Sequence, residues 1–146
     1  MKALFAAAAL ALCTAPLASA QSIVGTWTCV RSTVDNNAVS NVTFTDSGRL
    51  DALVNIDFLG LDQEVSAQAR YRSDYQLVNS TLSDTPVSTY VSKLTIDGQD
   101  ALRSEQAESL RQALLEGSDA SAKVTFTSDN YMILSADTAP INCVRM

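Results

Sequence analysis

The chain has 146 residues, of which 47% are hydrophobic and 18% charged, with a net charge of −6 and no histidine. An acidic surface without a basic patch repels nucleic acid and anionic lipid. The absence of histidine excludes Ser-His-Asp triads, Cys-His pairs and His-ligated zinc or copper.

Residues 1–20 have the form of a secretory signal peptide. Lys2 supplies a positive start, residues 3–12 a short apolar run, and Ala18-Ser19-Ala20 a small-residue cleavage site. Cleavage after Ala20 leaves residues 21–146 as a single domain, large enough to bury its own core, in the periplasm or the outside medium. A lipidated Cys13 is disfavoured, because Leu12 stands where that processing wants a small residue. No later stretch approaches about 18 apolar residues, so no membrane-spanning helix is expected. With the leader goes Cys13, leaving Cys29 and Cys143 and therefore one possible pairing in an oxidising compartment. They stand 114 positions apart. The chain-entropy model assigns a loop of that length roughly 4–5 kcal/mol.

Beyond the leader the dominant period is two, the mark of half-buried strands. Residues 23–31 read as the first strand and residues 34–38 as a loop. Val42-Thr43-Phe44-Thr45 then leads through Asp46-Ser47-Gly48 into a stripe of Leu50, Ala52, Val54, Ile56 and Phe58, opposed by Asp51, Asn55 and Asp57. The longest stripe spans residues 65–77: Val65, Ala67, Ala69, Tyr71, Ser73, Tyr75 and Leu77 share one face, and Arg70, Arg72 and Asp74 the other. Residues 79–87, with Pro86, read as a loop, and residues 89–96 as a strand closed by Asp97-Gly98.

One helix is predicted over Glu105–Glu116. Ser104 is its N-cap, Glu105 and Glu108 suit the positive first turn, and Gly117 is the stop. Ala107, Leu110 and Leu114 share a face, away from Arg103 and Arg111. Val124-Thr125-Phe126-Thr127 turns at Ser128-Asp129-Asn130 into residues 131–136, and residues 141–145 end the pattern. Each of the two hairpin turns is expected to hold a positive-φ residue. The expected fold is mainly β: an antiparallel barrel of about eight strands, with one short helix before the last two strands and a Cys29–Cys143 bridge clasping the first strand to the last. A two-sheet sandwich is the rival.

Gly25-Thr26-Trp27 resembles the Gly-x-Trp opening of the lipocalin and wider calycin group. Thr45-Asp46-Ser47-Gly48, after an aromatic strand, is similar to the first hairpin of small bacterial lipocalin-like domains. The resemblance is close over about the first third of the mature chain and rests on strand pattern elsewhere. It implies a lipocalin-like barrel with Trp27 packed across its base, and the carriage of a small ligand. Two departures stand out. Lipocalins carry their helix after the eighth strand, and avidins, which share Gly-Thr-Trp, need several tryptophans for biotin where this chain has only Trp27.

Among groups that could carry chemistry, Asp57, Asp62 and Glu64 cluster around residues 58–61, with Asp51 on the face of Asp57. A calcium site or a paired acid and base is the functional alternative, but no EF-hand-like spacing is present and the whole chain is acidic, so an exposed strand face with cross-strand partners such as Arg70 and Arg72 is expected. No catalytic group, metal or cofactor is read from the sequence. The inward stripe is more suggestive. Ala67, Ala69 and Ser73 leave room, Tyr71 and Tyr75 offer hydroxyls, and Tyr90 and Ser92 are placed on the same space. Trp27, Tyr71, Tyr75 and Tyr90 are thus the candidate lining of an apolar pocket with converging hydroxyls, against the alternative of core tyrosines each tied by one hydrogen bond. The expected function is non-enzymatic binding of a small apolar or amphipathic molecule by an exported barrel. The alternative is a periplasmic or secreted interaction protein, such as an inhibitor or an envelope-associated subunit. An outer-membrane barrel is disfavoured, because its outward faces would carry Arg70, Arg72, Asp51 and Lys93.

Overall fold

A computed structural model describes residues 21–116, 121–137 and 139–146. The expected signal peptide over residues 1–20 and the expected helix stop at Gly117 lie outside the described residues. Strands β1 (Gly25–Ser32), β2 (Asn36–Phe44), β3 (Arg49–Phe58), β4 (Val65–Val78) and β5 (Thr81–Ile96) follow one another as an antiparallel meander. A two-residue strand β6 (Gln99–Asp100) and helix α1 (Glu105–Glu116) come next. Strands β7 (Ala122–Ser128), β8 (Tyr131–Ser135) and β9 (Ile141–Arg145) complete the chain. β9 pairs with β1, with Cys143 directly opposite Cys29 and joined to it by a disulfide. Together with the β5–β7 and β4–β5 ladders this closes one sheet into a ring of eight strands, rather than splitting it into two sheets.

Period-two alternation sets which side of each strand is buried. Leu50, Ile56, Ala67, Ala69, Ser73 and Tyr75 point inward, while Asp51, Asn55, Arg70, Arg72 and Asp74 are exposed. The principal core joins Trp27, Phe44, Leu50, Tyr75, Met132 and the disulfide inside the ring. A second cluster packs Ala107 of α1, with Leu110 and Leu114 beside it, on Ala67, Ala69, Val91 and Leu94 at the far ends of β4 and β5. The predicted helix and its apolar face are therefore both present. Its cap differs: the Ser104 hydroxyl donates to the Ala101 carbonyl at 2.5 Å.

Several expectations need correction. Three strands follow the helix, not two. Residues 36–38 belong to β2, so the loop expected at 34–38 shrinks to a tight turn. The loop expected at 79–87 is mostly strand, because Asn79 and Ser80, with φ of 50° and 63°, make the two-residue turn that suits a right-twisted hairpin. Pro86 is accommodated in β5 beside a bulge where the register shifts past Ser73, one of the few strand settings that tolerate a residue without an N–H. At the two turns predicted to hold a positive φ, Gly48 has φ 81°. The 128–130 turn has no positive φ, and β7 absorbs the offset in a bulge after Phe126.

The thinnest junction of the ring is not the bridged seam. β1 and β9 pair at four positions, whereas β5 meets β7 only at Thr81–Lys123 and Leu82–Ala122. Among the described residues no strand lies beside the free edge of β5 from Ser83 to Leu94, and α1 packs against β5.

Candidate functional site

Inside the ring lies a cavity of about 380 Å³. Its wall is mostly apolar, with Val42, Phe44, Leu50, Ala52, Leu82 and Ile141 from four strands, and Cys29 of the disulfide also faces it. Small side chains make the space: Ala52, Ala122, Ala136 and Ala139 stand where larger residues would meet across the ring. Four polar residues, Arg31, Ser40, Tyr71 and Asp84, interrupt this wall. Tyr71 on β4 donates its hydroxyl to the Asp84 carboxylate on β5, and Arg31 at the end of β1 contributes a guanidinium. Beside them Thr89, directly opposite Tyr71 on the β4–β5 ladder, and Ser73 two residues further along β4 are buried hydroxyls without a protein partner among the described residues.

The four residues expected to line a pocket separate. Tyr71 does line it. Tyr75 is buried in the core, edge-on to Phe44 at 5.1 Å, with its hydroxyl donating to the Thr45 carbonyl at 2.6 Å. It is an anchored core tyrosine. Trp27 is wholly buried and absent from the cavity wall: its Nε1–H donates to the Ile23 carbonyl at 2.8 Å, and Phe126 packs at 6.2 Å. The Arg145 guanidinium lies 4.2 Å over the indole while donating to the carbonyls of Ser22, Val24 and Asp129. Gly25 is dictated by that clamp. It has φ 133°, and a Cβ there would stand 2.5 Å from Arg145 Nη1.

Tyr90 is the misplaced candidate. It sits opposite Arg70 on the outer face, 63% exposed, because inward positions of β5 fall at Thr89 and Val91. Ser92, at the second β5 bulge, turns to the Gln68 carbonyl and side chain instead of the interior. Asp84 and Arg31 were not anticipated. The signal for Asp84 was there: once Asn79-Ser80 is read as a turn, Leu82 and Asp84 continue the inward stripe.

Tyr75 carries a pH signature. Burial, then the nearby negative Asp46, raise its phenol pKa above the usual 10.0. The folded state therefore favours the neutral phenol, and its stabilising share is complete below pH 10 and lost as pH climbs through the raised folded value. Tyr75→Phe is expected to cost about 1 kcal/mol at neutral pH, for the hydrogen bond to Thr45. It should also flatten the alkaline fall in stability, as read from urea midpoints between about pH 8 and pH 11. An alkaline slope equal to that of the unsubstituted protein would show that another group is responsible.

Asp51 does pair with Arg72, at 2.7 Å, with both side chains more than half exposed, so the pair stabilises little. Arg70 and Lys93 are exposed like Arg72, on the outer face. Among the described residues no three His, Cys, Asp or Glu side chains stand together as metal ligands, and no helix is long and apolar enough to cross a membrane. No protein-family model matches the chain, and no curated protein is significantly similar to it.

Proposed function

We propose that the protein is an exported, lipocalin-like β-barrel that holds one small apolar or amphipathic molecule inside the ring and performs no chemistry on it. The observation that carries this reading is the cavity of about 380 Å³, apolar over most of its wall and marked by the Tyr71–Asp84 pair and Arg31. Its size falls at the lower end of small-molecule sites, which span about 300–1,000 Å³. The polar groups on that wall orient a ligand with a hydrogen-bonding head. The buried Cys29–Cys143 bridge fits an oxidising compartment, the periplasm or the medium.

The test is titration of the oxidised protein with an environment-sensitive hydrophobic dye, followed by displacement with fatty acids, sterol-like compounds and small aromatic metabolites. The reading expects saturable one-to-one binding, weakened by Tyr71→Phe more than stability is. Failure to bind anything across the panel rejects carriage and leaves the interaction-protein reading in its place.

A further inference from the structure

A larger hollow than the ring cavity lies elsewhere. A trough of about 660 Å³ runs between α1 and the adjoining ends of β3, β4 and β5. Its floor is Phe58, Val65, Leu94 and Ile96, and one wall is Leu110 and Ala113 of the helix. The other lip is the β3–β4 loop, where Leu61 lines the trough and is 56% exposed. The upper wall residues Gln63, Glu105, Gln106, Ser109 and Ala113 are all exposed, so the trough is open along its length. With Phe58, Val65, Leu94, Ile96, Leu110 and Ala113, the exposed Leu61 makes a contiguous apolar surface of the kind that marks interaction sites.

Charge narrows the occupant. Glu105 lines the trough. Asp62 and Glu64 flank Gln63 on the lip, and Asp97 is tied into the lip by accepting from the Glu64 backbone N–H at 2.9 Å and from Gln63 at 3.3 Å. The neighbouring cations are few. Arg111 is held by Glu108 through two hydrogen bonds, which lower the Glu108 pKa to about 2. Lys93 points away from the buried Leu94, and Arg103 precedes the helix. An apolar floor under a carboxylate rim repels anionic lipid and acidic peptides. It complements a helix with leucine-like residues on one face and lysine or arginine along its flanks.

We infer that this trough is a docking site for a basic amphipathic helix of a partner protein. α1 has 12 residues, so it offers a wall of about 18 Å, and a partner of three to four turns lies alongside it. This site is separate from the ring interior and does not depend on what that cavity holds.

The experiment measures fluorescence anisotropy of a labelled Leu/Lys amphipathic peptide of about four turns on the oxidised protein. A scrambled peptide of the same composition and a Leu/Glu version serve as comparators. The amphipathic Leu/Lys peptide is expected to bind at least about tenfold more tightly than either. Leu61→Asp should weaken it by about tenfold without moving the urea midpoint, since Leu61 is already 56% exposed. Because that substitution adds negative charge, a purely electrostatic attraction would instead strengthen. Ala113→Arg, on the opposite wall, should weaken binding likewise. Equal binding of the scrambled peptide, unchanged or tighter binding by Leu61→Asp, or no binding of the Leu/Lys peptide would each overturn the assignment.

Discussion

Replacing Cys29 and Cys143 together by alanine is expected to cost roughly 4–5 kcal/mol. The bridge closes a loop of 114 residues, and most of its effect is the conformational freedom it denies the unfolded chain. Both cysteines are almost wholly buried, at 2% and 0% exposure, so removing the sulfurs also opens space in the core. The native ring itself should survive. Four residue pairs still join β1 to β9, and far-ultraviolet circular dichroism of the variant at low temperature should match the parent. The loss should appear in the thermal midpoint, as a fall of more than about 10 °C. A midpoint within a few degrees of the parent would mean that the bridge constrains little that the ladder does not already hold.

Trp27→Ala is expected to cost about 3–5 kcal/mol, the range for a large buried aromatic. Trp27 is the point where several weak devices converge. Its N–H is satisfied by Ile23, its ring packs near Phe126, and the Arg145 guanidinium covers it. Arg145 in turn gathers carbonyls from Ser22, Val24 and Asp129, tying the entry to β1 and the β7–β8 turn onto the last strand. The two side chains should therefore not act independently. In a double-mutant cycle with Arg145→Ala, a coupling of about 1 kcal/mol is expected for the cation over the ring. Simple additivity would show that Arg145 works only through its hydrogen bonds.

Sequence pattern sufficed for the strands with strict alternation, because burial on one face leaves a periodic trace. The stripes from Leu50 to Phe58 and from Val65 to Leu77 carried it, and so did the helix face of Ala107, Leu110 and Leu114. The cysteine pair was legible by counting. What failed was local. Pro86 argued against a strand, yet an edge with a bulge accepts it, and that one misreading hid both the true length of β5 and the place of Asp84. Tyr90 was misplaced because the bulges near Val87 and Ser92 reset which residues of β5 face inward, and a bulge has no signature in composition. The cavity itself was half legible. The small residues expected to leave room, Ala67, Ala69 and Ser73, do not line it: Ala67 and Ala69 pack under α1, and the space is left instead by Ala52, Ala122, Ala136 and Ala139, which ring closure brings together. The open junction between β5 and β7 depends on where β7 begins relative to β5, which period-two patterns do not encode.

The central claim, that the ring interior is a binding site, is tested most directly by filling it. Ala52→Phe puts a ring into the cavity from β3, and Ala139→Phe does so from the segment after β8, where no strand pairing is at risk. Dye affinity measured on the oxidised parent and both variants, beside their urea midpoints, is predicted to fall at least about tenfold while each midpoint shift stays within the 1–3 kcal/mol of moderate overpacking. Undiminished dye binding by two folded, cavity-filled variants would contradict it.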